Sequence, residues 1–151
     1  QGDEPTLNPI DILKIRDKKF ENMDLVINGY CWISKQENPE SVNIPKVITN
    51  ENNKLIYISR KALPGFKNIK NAPTGYKKQV CIYGFTKEEL LAFKNFGRQS
   101  TLEYSEDIEI LRFFELDKSI LMVETQGGSL AIDVPEDIAP VETALKQLHR
   151  I

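Results

Sequence analysis

Capped helix starts alternate with short β-rich runs along this chain, and that alternation restricts its fold more than any other feature. Asn8 followed by Pro9 supplies an N-cap and a first helical residue, predicting a helix over 10–20. Residues 24–33 (DLVINGYCWI) carry β-branched and aromatic side chains at strand density and run into a polar loop over 34–43. Residues 46–49 and 55–59 read as two strands around a hairpin turn at 50–53 (NENN). After a long polar stretch over 60–78, residues 79–85 (QVCIYGF) form another strand, and Thr86 with Glu89 makes a capping box that opens a helix through Phe96. A second helix, capped by Ser100 or Thr101, is expected to run to Phe114 or Glu115. Then come a strand over 119–125, a turn at 126–128, a last strand over 130–133, and a terminal helix over 135–148 that is kinked or reset at Pro140. Alternating elements with one inserted hairpin give the class α/β.

Composition narrows the partners. The 151 residues, 40% hydrophobic and 28% charged, are enough to bury one core. A net charge of -2 and a pI near 5.6 provide no global basic field, which argues against nucleic acid and anionic membrane as partners. The longest apolar stretches, such as 120–123, are too short to span a bilayer, and no charged and then apolar leader opens the chain, so a cytoplasmic location is expected. Cys31 and Cys81 lie in apolar strand-like runs and read as small buried thiols. The chain begins at Gln1 without a Met, in a polar, turn-like sequence, and a piece of a longer protein is expected.

Two carboxylates occupy the same kind of place, after a strand and before a helix: Asp3 in QGDEP and Asp133 in IDVPED. In an open α/β sheet the carboxyl ends of strands line the ligand crevice, so both are placed to face one site and to hold a hard divalent cation such as Mg2+. Capping is the competing role. Asn8 already starts the first helix, and if Pro135 takes the first helical position the cap falls on Val134, leaving Asp133 one residue outside. Glu103, Glu106 and Glu109 recur every three residues, on a drifting stripe of one helix face.

QGDEP, YISRKALP, IYGF, LEYSEDIEILRFFE and IDVPED together resemble, in order and spacing, the CMP-Kdo synthetase family (Kdo is 3-deoxy-manno-octulosonate), whose counterparts read QGDEP, YFSR-x-x-IP, IYGY, a glutamate-rich helix ending in LR, and VDTPED. The resemblance implies a mixed sheet of the Rossmann-like nucleotide-diphospho-sugar transferase type, here incomplete and with an inserted β-hairpin. Residues 1–151 would be the C-terminal, sugar-binding and dimerisation half, since the family's Gly-rich basic loop and cytosine-reading strands have no counterpart in this sequence. It implies transfer of CMP from CTP to a 3-deoxy keto-acid sugar with release of pyrophosphate, for lipopolysaccharide or capsule biosynthesis, by a homodimer. By position, Asp3 and Asp133 would hold the catalytic Mg2+, while Arg60, Gln79, Tyr83 and Glu109 would meet the sugar and Arg112 would pair with a neighbouring carboxylate. A sugar acid needs a cation for its carboxylate and a ring of hydrogen-bonding groups for its hydroxyls. The plainer alternatives are a solvated strand-end Arg60 and a buried strand aromatic at Tyr83.

Departures from the family pattern cluster around the sugar. Gln79 stands where the family has His, Ile110 where many members have Gln, Val134 where Thr is usual, and Gly65-Phe66-Lys67 where Trp-Asp-Arg is common. The pocket is therefore expected to offer fewer polar contacts than a standard Kdo site unless Lys67, Lys70 or Tyr104 replace them, with an 8-position variant such as amino-Kdo as the competing substrate. A non-catalytic sugar-binding or dimerisation module, and a nucleotidyltransferase for another sugar acid, are the other readings.

Overall fold

A computed structural model describes residues 3–132 and 134–148. Helix α1 (Pro9–Glu21) starts as expected, with the Asn8 side chain accepting from the Ile10 N–H and Pro9 in the first turn. Five strands follow among the described residues, β1 (Val26–Trp32), β2 (Lys46–Thr49), β3 (Leu55–Ser59), β4 (Lys77–Gly84) and β5 (Ile120–Glu124), in the order β3-β2-β4-β1-β5. The β1–β5 pair is parallel and the others are antiparallel, so the sheet is mixed.

Strand β1 is buried on both faces because its side chains alternate between two cores. Val26 and Tyr30 enter the larger core with Val47, Ile58, Leu111, Phe113 and Met122, whereas Ile27 and Cys31 join Ile15, Val80, Ile82 and Val123 beneath α1. Of β1 itself only Trp32 is exposed. The sheet also curls until its ends meet: the Met122 N–H donates to the Asn53 carbonyl (2.9 Å), and Lys54 bridges Leu121. The hairpin thereby reaches round to the far side of β5.

Helix α2 (Lys87–Asn95) carries the expected Thr86–Glu89 capping box, and Glu89 also meets Lys19 Nζ at 2.8 Å, tying α2 to α1. The expected helix from residue 101 to 115 is instead three pieces: α3 (Thr101–Glu106), a 3-10 turn (Glu109–Leu111) and α4 (Arg112–Glu115). Burial explains the break. Ile108, Ile110, Leu111 and Phe113 all lie in the core, and residues two apart on one helix point to opposite sides, so no continuous helix could bury all four. Asp107 makes the bend in a left-handed conformation with φ of 52°.

The expected last strand is also absent over 130–132; that segment is tied to the N-terminal stretch by Leu130 N–H to Thr6 Oγ1 and Ile132 N–H to the Asp3 carbonyl, without a strand ladder. A 3-10 turn (Pro135–Asp137) leads into α5 (Ile138–Leu148), where Pro140 falls in the first turn. The first N–H groups of a helix have no partner within it, so Pro140 does not break α5. No helix among the described residues is long and apolar enough to cross a membrane.

Candidate functional site

Asn28 builds the centre of the site. It is fully buried in β1, opposite a bulge: Asn28 pairs with Tyr83 but Gly29 pairs with Val80, leaving Cys81 and Ile82 as extra residues in β4. The Asn28 amide nitrogen donates to the carbonyls of Val80 (2.9 Å) and Ile82 (3.0 Å), satisfying the backbone that the bulge frees. Its oxygen then accepts from Gln79 Nε2 (3.0 Å), and that nitrogen also donates to the Tyr83 hydroxyl (3.3 Å). Gln79 is thereby oriented with its amide oxygen as an acceptor that has no partner among the described residues.

Gln79 and Tyr83 line a cleft of ≈ 470 Å³ together with Asp3, Arg60 and Glu109, so five of the six expected site residues share one cavity. Asp133 lies outside the described residues, although its neighbour Ile132 donates to the Asp3 carbonyl at 2.9 Å. Asp3 Oδ1 is buried and has no hydrogen-bond partner among the described residues. Burial, then the nearby Cys81 thiol and the Glu109 and Glu4 carboxylates, push the Tyr83 phenol up, so it stays a neutral hydroxyl. Both cysteines are free, Cys31 buried and Cys81 half-buried; burial raises each thiol above its ordinary value.

The three glutamates of the stripe have different surroundings. Glu103 is buried and accepts from Arg112 Nε at 2.7 Å, the carboxylate pairing expected for Arg112. Glu106 accepts from the Tyr57 and Ser59 hydroxyls and from the Arg60 N–H, locking β3 to the end of α3. Glu109 lines the cleft, and its carboxylate has no hydrogen bond or ion pair among the described residues. Arg60 also lines the cleft, but Nε, Nη1 and Nη2 donate to the carbonyls of Glu106, Val42 and Asp107.

An apolar pocket of ≈ 260 Å³ adjoins the cleft through Tyr83 and Glu109, walled by Phe85, Phe93, Ile110 and Phe113. Ile110 thus contributes an apolar wall here. Lys67, Lys70 and Tyr104, the residues expected to replace lost polar contacts, are exposed and line neither cavity. Lys78, Asn43 and Ser129 line the cleft without having been anticipated. The paired lysines at 77 and 78 and the polar loop over 34–43 were visible in the sequence, but the pairing of Lys78 with Glu37 of that loop was not.

Residues 1–120 match the cytidylyltransferase family. The chain is similar to the 3-deoxy-manno-octulosonate cytidylyltransferase of Flavobacterium johnsoniae, at 30% identity over 98% of this chain and 61% of that protein. Its likeness to the enzyme of that name from Solibacter usitatus is 33% identity over 97% of this chain and 58% of that protein. A solved structure of CMP:2-keto-3-deoxy-manno-octonic acid synthetase complexed with CTP superposes with a TM-score of 0.87 at 26% identity, covering 98% of this chain and 60% of that one. The chain therefore spans about three fifths of the length of these relatives.

Proposed function

The chain belongs to the cytidylyltransferase family, and from that premise we propose that, within a longer protein, it transfers CMP from CTP to Kdo or a Kdo-like 3-deoxy keto-acid sugar, releasing pyrophosphate. In this reading the anomeric hydroxyl of the sugar forms a new bond to the α-phosphorus of CTP as the bond to pyrophosphate breaks. No side-chain nucleophile takes part; positioning and charge stabilisation carry the rate.

The supporting observation is the cleft's donor set. Asp3 presents a buried carboxylate oxygen without a hydrogen bond among the described residues, beside acceptors at Gln79 and Glu109 and a neutral hydroxyl at Tyr83. Such an anionic oxygen suits a hard divalent cation, and no cluster of three His, Cys, Asp or Glu metal ligands occurs among the described residues. Asp3 and Asp133 would hold Mg2+, with phosphate and water completing its shell. When bound, the ion neutralises charge on the transferring phosphate. Glu109 and the Gln79 amide oxygen then accept from sugar hydroxyls, and Tyr83 orients the ring through its hydroxyl. We place this chemistry in the cytoplasm, in support of lipopolysaccharide or capsule synthesis, and in a homodimer, for which the exposed Trp32, Ile56, Phe66 and Ile69 offer apolar contact surface.

The test is pyrophosphate release by the full-length protein with CTP and a panel of keto-acid sugars. Asp3→Asn should lower kcat by about 100-fold or more, the scale of lost metal-held charge stabilisation. It should leave the unfolding midpoint unchanged or higher, because Oδ1 has no hydrogen bond among the described residues to lose. Turnover without CTP, or wild-type rates in the variant, would refute the reading.

A further inference from the structure

Arg60 and Lys78 are the cationic side chains lining the cleft among the described residues, and their surroundings differ. Arg60 has three of its nitrogens on backbone carbonyls of Glu106, Val42 and Asp107. Pulling it toward a ligand would break these bonds and loosen the hairpin from α3. Lys77 turns away, with Nζ 4.5 Å from the Tyr30 ring centre and donating to Thr49 Oγ1. Lys78 Nζ has a single partner among the described residues, Glu37 Oε1, and an ammonium carries three donors.

Glu37 belongs to the polar loop over 34–45, which also places Asn43, Ile44 and Pro45 on the cleft wall. Its Oε2 accepts from the Ser34 N–H at 2.8 Å. Burial opposes its ionisation, but Lys78 and Ser34 outweigh it and hold the carboxyl below its ordinary value, so the loop presents an anion to Lys78 at neutral pH. Both side chains remain partly exposed, 23% for Lys78 and 28% for Glu37. An ion pair of that kind contributes little to stability and exchanges readily.

We infer that Lys78 receives the carboxylate of the sugar acid, and that Glu37 is an internal carboxylate holding this place until the ligand takes it over. The assignment rests on the keto-acid reading above and makes Lys78 a specificity-determining residue for it. A neutral sugar brings no charge to replace Glu37, so the Glu37–Lys78 pair selects against neutral ligands as well as for acids. Arg60 is left to its structural bonds and to whatever sugar hydroxyl reaches its remaining N–H groups.

The experiment measures Kdo binding to the full-length protein by calorimetry, alongside steady-state kinetics with CTP. Lys78→Met should raise both Kd and KM for Kdo about tenfold or more, leaving KM for CTP and kcat within about twofold. Lys78→Arg should restore most of the affinity, and Glu37→Gln should tighten Kdo binding several-fold, an effect absent when Lys78→Met is also present. The C1 amide of Kdo should bind wild type and Lys78→Met alike. Unchanged Kdo affinity in Lys78→Met, an equal loss for acid and amide, or no Kdo binding by wild type would overturn the assignment. Kdo binding that depends on Lys78 without CTP-dependent turnover would support Lys78 and sink the transfer reaction instead.

Discussion

Replacing Glu103 with Gln removes one charge from the most enclosed Arg–carboxylate pair among the described residues and leaves its shape almost intact. The Glu103 side chain is 2% exposed and that of Arg112 is 14% exposed. Glu103 Oε2 accepts from Arg112 Nε (2.7 Å) and from the Ser100 N–H (3.0 Å), while Oε1 accepts from Arg112 Nη2 (2.5 Å). Arg112 in turn lies 3.8 Å from the centre of the Phe93 ring. Breaking such a pair strands a charge and costs about 3–5 kcal/mol, and weakening the helix cap adds up to about 1 kcal/mol. Urea unfolding of Glu103→Gln, Arg112→Met and the double variant should yield a coupling energy of about 1.5–3 kcal/mol at constant m. The pair also carries a pH signature. Its carboxyl is held below the ordinary value of 4.5 by the Arg112 hydrogen bonds against burial, with help from Ser100. A lowered folded value means that the stabilisation is complete above the unfolded value and is lost as pH falls through the folded one. The advantage of wild type over Glu103→Gln should therefore be flat above about pH 5.5 and shrink below it. Additive single penalties, within about 0.5 kcal/mol, or a pH-independent difference would refute this account.

Gly127→Ala should destabilise the protein by about 1–3 kcal/mol and more than Gly128→Ala. Both glycines have positive φ, but a Cβ at Gly127 falls 2.4 Å from Cys31 Sγ whereas at Gly128 it meets open space. Equal melting temperatures for the two variants would show that the Cys31 contact does not matter. Light scattering of the intact protein should report a dimer, and a monomer at high concentration would remove that proposal.

Elements written in local chemistry were legible in the sequence. Asn8–Pro9 and Thr86–Glu89 start their helices where their cap chemistry puts them, and the hairpin strands occupy the expected residues. Elements decided by distant contacts were not. The break at Asp107 follows from a core that takes in both Ile108 and Ile110, and the missing strand over 130–132 follows from bonds to Thr6 and Asp3, far away along the chain. The same division holds for the cleft. Tyr83 and Glu109 sit in recognisable strings, whereas Lys78 acquires its place from Glu37, on a loop without a motif, and the role of Asn28 depends on a bulge that alternation conceals.

The meeting of the hairpin with β5 limits how this unit joins anything else. The middle of β5 would otherwise present an open row of backbone groups, to which another strand adds readily. With Met122 already donating to Asn53 and Leu121 bridged to Lys54, that row is occupied from within the same chain. A neighbouring molecule arriving at this side finds side chains where it would need backbone donors and acceptors. Assembly there has to proceed by surface fit, and the molecule is protected at that point from the indiscriminate stacking of like strands.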